Sequence, residues 1–541
     1  MSGPISEQTE QASRQPTRPD APDAVVIGAG QNGLVAANLL QDAGWSVLVL
    51  EAEDVIGGAV RSDSELVPGF THDTFSAFYP LAAASPVIAA MHLEEHGLAW
   101  LRSPGAVANP TDQGWAAILR TPEETAAAFD AMCPGDGDAW LDMCRGWQRI
   151  GNDVIGALLS PFPPVRNGLK LLAKAPAAGG LDLARLALLP VRRLGEERFG
   201  GFAPRLLLTG NALHADFSPE GSGSGVFGWL LVMLAQHTGF PSPQGGSGAL
   251  TQAMADRFTA RGGQIVTGAR VERVEVSAGR AVAVRTTGGE RYPVGRAVLA
   301  DVVAPHLFGG LVSWDDLPKR TRTGMRSFAW DPGTVKVDWA MSGPIPWRTP
   351  IPGPSACFHV AESVNELSRH ATQIFTGQIP SDPLLLAGAM GVVDPSRAPE
   401  GSESVWAYTH VPRETQGDAG GDGLTGTWDE SEKERFADRM QARIEKHAPG
   451  FGDRILARRV MGPADMQARN SNLDYGAVNG GSAGLHQELV FRPYPGIGRA
   501  GTPVKGLFLA NSSAHPGGGV HGAPGSNAAR AALAQARLRR I

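Results

Sequence analysis

Three glycines near the start of the chain have the type and spacing that bind a pyrophosphate. Gly28, Gly30 and Gly33 follow the apolar run Ala24–Ile27 in a GxGxxG pattern. In such a turn the first glycine permits the tight bend, the second admits a phosphate, and the third lets helix and strand pack closely. Backbone N–H groups at the start of the next helix then face the anion. Glu51 closes the following apolar run, at the spacing of an acid that hydrogen-bonds a ribose hydroxyl.

GxGxxG spacing is weak evidence when it stands alone, and this chain shows why. The same spacing recurs at residues 223–228 and 517–522. Only residues 24–51 combine it with a strand, a helix, a second strand and a terminal acid. The sequence therefore predicts one nucleotide-binding βαβ unit, at 24–51.

A second glycine turn lies close to the other end of the chain. The apolar run 507–510 is followed by His515-Pro516, then by three consecutive glycines and an alanine-rich helix. One nucleotide site assembled from both chain ends explains why a second turn exists without a second βαβ acid. His515 and His521 flank this turn and are candidate proton donors or bases, with a structural role as the alternative.

Composition limits the class of protein. The chain has 541 residues, of which 42% are hydrophobic and 19% charged, so it is long enough for two globular domains. Its net charge of −6 provides no basic field, and we expect no nucleic-acid partner. Cys133, Cys144 and Cys357 have neither CxxC nor metal-site spacing. That pattern indicates a reducing, cytoplasmic location, no disulfide chemistry and no metal.

Two segments bear on contact with membranes. Residues 1–23 are polar and contain proline, and we expect a disordered tail there rather than a signal peptide. No apolar run reaches the roughly 18 residues that span a bilayer. Residues 165–199 are basic and amphipathic. Such a stretch sits on a membrane surface or borders a lipophilic entrance; the alternative is a solvated helix face.

The remaining elements extend the βαβ unit. Gly57 and Gly58 form a sharp turn just after it, where backbone can again approach a ligand. Residues 85–240 have mainly helical patterns, whereas 243–300 predict a helix, a small antiparallel hairpin and a return strand. Residues 334–340 alternate like a strand with one wet face.

Taken together, these segments resemble the phytoene-desaturase-like flavoproteins of the amine oxidase and phytoene desaturase superfamily. Within it the chain is most similar to the branch labelled pyridine nucleotide-disulphide oxidoreductase domain-containing protein 2. The similar segments are VVIGAGQNGLVAANLL (25–40), VIGGAVRSDSELVPGF (55–70), GGQIVTGARVERV (262–274), TVKVDWAMSGPIPW (334–347), DPSRAPEGS (394–402) and HPGGGVHGAPGSNAARAAL (515–533). The resemblance covers nearly all of 24–541, and HPGGGVxGxxGxNAA is its specific motif.

The resemblance implies an α/β fold of the glutathione-reductase type. A Rossmann-like FAD-binding domain would be assembled from separated segments, and an α+β domain would bind the substrate. The implied boundaries are 24–84, 241–304 and 491–541 for the FAD-binding domain, and 85–240 and 305–490 for the substrate or cap domain.

It also implies which residues hold FAD. The first turn would hold the pyrophosphate, Glu51 the adenosine ribose, and the backbone at Val271 would approach the adenine. Residues 517–520 would pass the flavin ring, with the positive end of their helix directed to the N1–C2=O edge. The implied cofactor-binding residues are Gly28, Gly30, Gly33, Glu51, Gly57, Gly58, Arg61, Val271, Asn511, Gly517, Gly518, Gly519 and Val520.

Two positions depart from the family pattern. Many relatives carry arginine directly after the glycine pair, where this chain has Ala59, and Arg61 is the substitute. Many relatives have glycine and an acid after the last strand, where this chain has Asn511-Ser512. A neutral side chain there would hydrogen-bond the ribityl or pyrophosphate more weakly.

The resemblance implies a FAD-dependent oxidoreductase of the dehydrogenase or desaturase kind. It would desaturate, oxidise or isomerise a lipophilic, isoprenoid- or polyketide-like molecule by hydride transfer to flavin N5. The single nucleotide βαβ argues against bound NAD(P), so oxygen or a quinone is the expected electron acceptor. Two alternatives remain open: a flavin amine or amino-acid oxidase, and a non-catalytic carrier of a prenylated or lipid partner. Candidate cavity residues are His72, Asp73, Tyr79, Trp339, Trp347, Phe358 and Trp406.

Overall fold

The computed structural model describes residues 21–174 and 180–538. The sequence predicts a disordered tail at 1–23, and residues 1–20 of that tail lie outside the described residues. The strands in the described residues are β1 (Ala24–Ile27), β2 (Val47–Leu50), β3 (Ser62–Asp63), β4 (His72–Asp73), β5 (Trp100–Leu101), β6 (Gly105–Thr111), β7 (Gly114–Ile118), β8 (Ser242–Pro243), β9 (Gln264–Val266), β10 (Val271–Ser277), β11 (Arg280–Thr286), β12 (Arg291–Pro293), β13 (Ala297–Ala300), β14 (Gly333–Met341), β15 (Ser355–Val360), β16 (Gln378–Ile379), β17 (Leu385–Ala389), β18 (Glu403–Val411), β19 (Gly417–Asp418), β20 (Ile455–Met461) and β21 (Leu507–Leu509).

The helices in the same residues are α1 (Gln31–Asp42), α2 (Pro80–Ala83), α3 (Pro86–Ala89), α4 (Pro122–Met132), α5 (Asp136–Leu158), α6 (Val165–Lys174), α7 (Leu181–Leu186), α8 (Val191–Arg198), α9 (Phe202–Ala212), α10 (Ser224–Thr238), α11 (Gly248–Ala260), α12 (Ala304–His306), α13 (Lys319–Arg326), α14 (Val364–Phe375), α15 (Glu430–Glu445), α16 (Pro463–Arg469) and α17 (Ala523–Leu538). Short 3₁₀ turns join several of them.

A five-stranded parallel sheet unites the two ends of the chain. Its order is β21, β13, β1, β2, β9, and Val26 of β1 pairs with both Leu299 and Val49. Every residue of β1, β2 and β13 is buried, as in a parallel sheet covered on both faces. The predicted Rossmann-like fold, assembled from separated segments, is thereby confirmed.

The carboxyl ends of four strands meet at one edge of this sheet. The residues just beyond them are Gly28 after β1, Glu51 after β2, Asp301 after β13 and Asn511 shortly after β21. In open α/β sheets this edge is where ligands bind. The predicted hairpin forms a separate antiparallel sheet of β10, β11 and β12.

A seven-stranded mixed sheet supplies the other large layer. Its order is β20, β14, β18, β17, β15, β6, β7, and only β15 and β6 run parallel. Strands β6 and β7 lie inside the stretch expected to be mainly helical. The segment GAVANPT has few β-branched residues and thus a weak strand signal. It is a strand because it pairs with β15: Gly105 is the partner of Ser355, 250 positions later in the chain.

The expectation that β14 has one wet face is wrong. All nine of its residues are buried, because the sheet is covered on both faces. Its polar side chains are satisfied internally: Lys336 pairs with Asp338, and Nη2 of Arg459 donates to Oδ2 of Asp338 at 2.8 Å. A buried charge is tolerated when it is paired in this way.

No helix in the described residues combines the length and the apolarity needed to cross a bilayer. The domain boundaries implied by the resemblance stay a prediction.

Candidate active site

The first glycine turn leaves no room for larger residues at its three glycines. Gly28 has a φ of +94°, a conformation that L side chains rarely adopt. A Cβ at Gly33 would lie 2.1 Å from the carbonyl oxygen of Gly28, and one at Gly30 would lie 2.7 Å from Oδ2 of Asp301. Helix α1 begins at Gln31, so its first backbone N–H groups lie at this turn.

The glycine pair closes one side of the first turn. The N–H of Gly57 donates to the carbonyl oxygen of Ala29 at 2.9 Å. A Cβ at Gly58 would lie 3.1 Å from the Cα of Gly30. Gly57 and Gly58 have φ values of +108° and +58°, so both positions favour glycine on conformation as well as on space.

Arg61 and Val271 lie outside the described lining of the cavity between the two glycine turns. The guanidinium of Arg61 donates to the carbonyl oxygen of Arg469 at 2.8 Å and lies 5.4 Å from the ring centre of Phe75. Val271 packs in the apolar cluster that includes Val25 and Ile27 of β1. Their expected contacts with the phosphate and the adenine stay predictions.

Glu51 contacts the first turn directly. One carboxylate oxygen accepts the N–H of Ala29 at 2.6 Å, and the other accepts the N–H of Glu53 at 3.0 Å. Burial raises the pKa of Glu51, while these backbone donors oppose the shift. The acid at the end of β2 is therefore fixed beside the glycine turn, as the βαβ pattern requires.

Asp301 is a second acid at this edge, and the sequence reasoning missed it. Its Oδ2 accepts the N–H of Gly33 at 3.0 Å, and its Oδ1 accepts from Nδ2 of Asn511 at 2.9 Å. Burial raises the pKa of Asp301 to about 7, and the charge of Glu51 adds to the shift. An acid directly after an apolar strand, as in VLAD, is the signal that identified Glu51 and could have identified Asp301.

The second glycine turn has the same tight construction. Gly517 and Gly519 have φ values of +111° and +105°. A Cβ at Gly518 would lie 2.7 Å from Oδ1 of Asn479, and one at Gly519 would lie 3.1 Å from Cδ1 of Leu81. The turn is thus held between residues 479–480 on one side and α2 on the other.

Both turns line one cavity of about 340 Å³. The end of this cavity at which FAD is expected is called the cofactor end. Its lining includes Gly30, Gln31, Asn32 and Gly58 from the first half of the chain, and Asn511, Ser512, Pro516, Gly518, Gly519, Val520 and His521 from the last sixty residues. Two distant parts of the sequence therefore form the walls of a single site.

The two candidate histidines differ in position. His521 lines the cavity, but its Nδ1 accepts the N–H of Ala523 at 3.2 Å, so its Nε2 donates to the carbonyl oxygen of Gly518 at 3.2 Å. His515 lies behind the turn, where Nε2 donates to the carbonyl oxygen of Ser160 at 3.1 Å. Burial lowers the pKa of each to about 4. His521 has no free lone pair in this arrangement; catalytic roles for the two histidines stay predictions.

Beyond the second turn the cavity becomes apolar. Its described walls there include Phe78, Leu158, Phe227, Leu230, Leu231, Phe240, Leu386, Trp406 and Tyr408. Tyr79 also lines the cavity, whereas Asp73 is buried against Arg397 at 2.8 Å, and His72 hydrogen-bonds Ser404 at 3.0 Å. Of the four candidate aromatics, Trp406 is a wall residue, and Trp339, Trp347 and Phe358 pack in the apolar cluster beside β14.

Charge is scarce in the described lining. Asp301 and Lys336 are its formally charged residues. Nζ of Lys336 pairs with Asp338 and donates to the carbonyl oxygen of Asp73 at 3.0 Å. His214 hydrogen-bonds His359 at 2.9 Å through Nε2, and burial lowers its pKa to about 4, so it is neutral. Among the described lining residues, the apolar end therefore offers no free cation or anion to a substrate.

Comparisons with known proteins agree with this geometry. The sequence model of the family described as flavin containing amine oxidoreductase matches residues 33–303. The mouse protein named pyridine nucleotide-disulfide oxidoreductase domain-containing protein 2 is 31% identical, over 94% of this chain and 92% of its own length. A lycopene-forming phytoene desaturase of Pantoea ananas is 26% identical, over 94% of this chain and 98% of its own. Among solved structures, putrescine oxidase bound to putrescine superposes with a TM-score of 0.57 at 17% identity, covering 96% of this chain and 99% of that one.

Proposed function

The chain belongs to the flavin-containing amine oxidoreductase family and is a FAD-dependent oxidoreductase, and we propose that its substrate is an uncharged lipophilic molecule of isoprenoid or polyketide type. The enzyme would desaturate, oxidise or isomerise that molecule by taking a hydride from it. The named relatives support this class, because they include a phytoene desaturase.

The residues at the cofactor end fit a dinucleotide. The first turn is a cradle that a Cβ at Gly30 or Gly33 would fill. Oε1 of Gln31 and Oδ1 of Asn32 are buried with no hydrogen-bond partner in the described structure, although buried polar atoms are normally satisfied. In our proposal the turn at 28–33 holds the pyrophosphate and Glu51 the ribose, while residues 518–520 lie along the flavin ring.

FAD, when bound, accepts a hydride at N5 and leaves little chemistry to the protein. What the chain contributes is placement. The apolar walls hold a C–H bond of the substrate against the cofactor end and keep water out. At Gly518 and Gly519 the second turn would present backbone rather than side chains, which would let the flat ring lie close to it.

The distribution of charge in the lining carries the proposal. An amine oxidase that holds its substrate as a cation by ion pairing needs an acid at the substrate, and an amino-acid oxidase needs a cation for the carboxylate. Asp301 lies at the cofactor end, and Lys336 is already paired. An uncharged substrate leaves no buried charge without a partner, so it is the ligand that this wall favours.

Anaerobic photometry of the holoenzyme tests the proposal. We expect bleaching of the bound flavin by uncharged polyenes and other lipophiles, and none by amines or amino acids. Leu231→Asp should slow the bleaching about tenfold or more because it buries an acid in the apolar wall. Leu231→Ile, which keeps the wall apolar, is the matched control. Bleaching by amines alone would establish the amine oxidase alternative instead.

The alternative of a non-catalytic carrier has no support, because the chain is a flavin-dependent oxidoreductase.

For the electron acceptor we propose oxygen or a quinone, since the described sheet contains one nucleotide βαβ unit and no second one for NAD(P). Reoxidation of the reduced holoenzyme by air, by a soluble quinone and by NADP⁺ separates these acceptors.

We further propose that α6 contacts an anionic membrane surface, from which a lipophilic substrate would enter. The helix exposes Val165 and Leu169 by 63% and 61%, and Arg166 and Lys170 accompany them. It follows directly on α5, whose last residue, Leu158, lines the cavity. The alternative is a solvated helix face.

Vesicle flotation distinguishes the two. Binding to anionic vesicles that Leu169→Ser weakens, but Leu456→Ser does not, supports the membrane surface. Leu456 is the control because it is 56% exposed on β20. If the protein floats equally with anionic and zwitterionic vesicles, or with neither, the proposed contact of α6 with an anionic membrane is rejected.

A further inference from the structure

A buried guanidinium lies behind the second glycine turn. Arg492 is 1% exposed and forms an ion pair with Glu488 at 2.9 Å. Its other donors all reach backbone carbonyl oxygens: Nε that of Ser512 at 2.9 Å, Nη1 that of Ser482 at 3.0 Å, and Nη2 those of Asn479, Gly480 and Gly481 at 3.0, 3.2 and 3.4 Å. The side chain therefore connects several turns at once, with Arg donors in a rigid planar array.

The two segments that Arg492 joins both line the cavity. Residues 479–482 belong to the stretch expected to form the cap, and Ser512 to the cofactor-binding stretch. They meet closely at Gly480, whose φ is +67° and where a Cβ would lie 3.0 Å from the Cβ of Ser512. Asn479, Gly480 and Ser512 are lining residues. The guanidinium thus fixes the cap segment against the cofactor segment at the wall of the site.

The ion pair lies close to the cavity without lining it. A Cβ at Gly517 would lie 3.2 Å from Oε1 of Glu488 and 3.4 Å from Cζ of Arg492. The neighbouring Pro516 and Gly518 line the cavity, so the pair packs against a turn that forms part of the cavity wall. Arginine stays protonated when buried. A charge that is buried away from water acts over several ångströms.

We propose that Arg492 is a positioning residue of the flavin site and that its charge stabilises the reduced ring. The guanidinium holds the turns at 479–482 and 512–517 in register along the ring. The positive charge favours the electron-rich reduced state, and Glu488 offsets part of that effect. The inference rests on the proposed placement of the ring at the second turn and is independent of the substrate.

Redox equilibration of the holoenzyme with a reference dye tests this. At about pH 8.5 and a fixed dye potential, Glu488→Gln should raise the ratio of reduced to oxidised flavin about tenfold, and Arg492→Gln should lower it about tenfold. Arg492→Lys, which keeps the charge and loses the planar array, should recover most of the ratio but retain FAD less well. No substrate is involved, so failure here is distinct from failure of the lipophilic-substrate proposal.

The matched control is Arg439→Gln. Arg439 also pairs with a buried acid, Asp418 at 2.8 Å, and donates to the carbonyl oxygen of Pro380 at 2.7 Å, but it is not among the described lining residues. It should lower thermal stability and leave the ratio unchanged. Wild-type ratios in Glu488→Gln and Arg492→Gln would overturn the proposal, as would an equal change in Arg439→Gln. If Arg492→Gln does not fold, Glu488→Gln decides alone.

Discussion

Glu51 and Asp301 both follow buried parallel strands, yet their carboxylates accept different N–H groups of the first glycine turn. Glu51 accepts that of Ala29 at 2.6 Å, and Asp301 that of Gly33 at 3.0 Å. Gly33 lies in the first turn of α1, where an anion is favoured by the helix dipole. In the proposed site Glu51 would therefore face the ribose of FAD and Asp301 its pyrophosphate.

Replacing Glu51 by alanine should weaken FAD retention. The change removes a charged hydrogen-bond acceptor, which is worth about 1.5–3 kcal/mol, so we expect the dissociation constant of FAD to rise roughly tenfold to a hundredfold. Fluorescence titration of the FAD-free protein measures this. Glu51→Gln keeps an acceptor for Ala29 and should lose less. Unchanged affinity in Glu51→Ala would remove the ribose assignment.

Asp301 should make both stability and FAD affinity depend on pH. Its pKa in the folded protein is about 7, above that of an unfolded aspartate. The folded state therefore binds an extra proton between about pH 4 and about pH 7, and the group's stabilising contribution is lost as pH rises through that window. Above it, the ionised carboxylate also opposes a bound pyrophosphate.

Comparing the pH dependence of Asp301→Asn with that of wild type checks this prediction. Compared with wild type, the variant should lose less thermal stability, and less FAD affinity, between about pH 4 and about pH 7. The comparison is made against wild type because Glu403 and Glu488 are buried acids with pKa values also raised to about 7. Parallel pH curves for the two proteins would contradict the role given to Asp301.

At the scale of elements, what was predictable from sequence was local. The βαβ unit is a contiguous run in which strand, glycines, helix and strand each carry their own signal, and β1, α1 and β2 form as predicted. Strand β6 has no such signal and depends on β15. The alternation in β14 predicts its strand correctly but not its burial, because the covering of both faces comes from distant segments.

Gly33 tests the packing of that unit. In Gly33→Ala the new Cβ would lie 2.1 Å from the carbonyl oxygen of Gly28, so the backbone must move, at a cost of about 1–3 kcal/mol. We expect a lower melting temperature and weaker FAD binding. Gly146→Ala is the control: it lies in α5 with open space around it and should be neutral or stabilising by up to about 1 kcal/mol. Equal behaviour of the two variants would show that Gly33 is not constrained by contact.

For the whole molecule, the sequence predicted the two glycine turns but not the groups that hold them together. Each turn is a short motif, and the resemblance placed both at one cofactor. Asp301 accepts a hydrogen bond from Gly33, 268 positions away in the sequence. Arg492, whose position in the sequence lies between those of Asn479 and Ser512, donates to the carbonyl oxygens of both. No pattern in the chain marks such pairings, because they exist only once the parallel sheet has brought the strand ends to one edge.

The central claim is that the turns at 28–33 and 517–520 hold one FAD molecule between them. A crystal structure of the holoenzyme is its most direct test. We expect one FAD per chain, with its pyrophosphate at the N–H groups that begin α1 and its isoalloxazine ring against Gly518 and Gly519. A ring located away from residues 517–520, or a pyrophosphate bound elsewhere than at the first turn, would contradict the account.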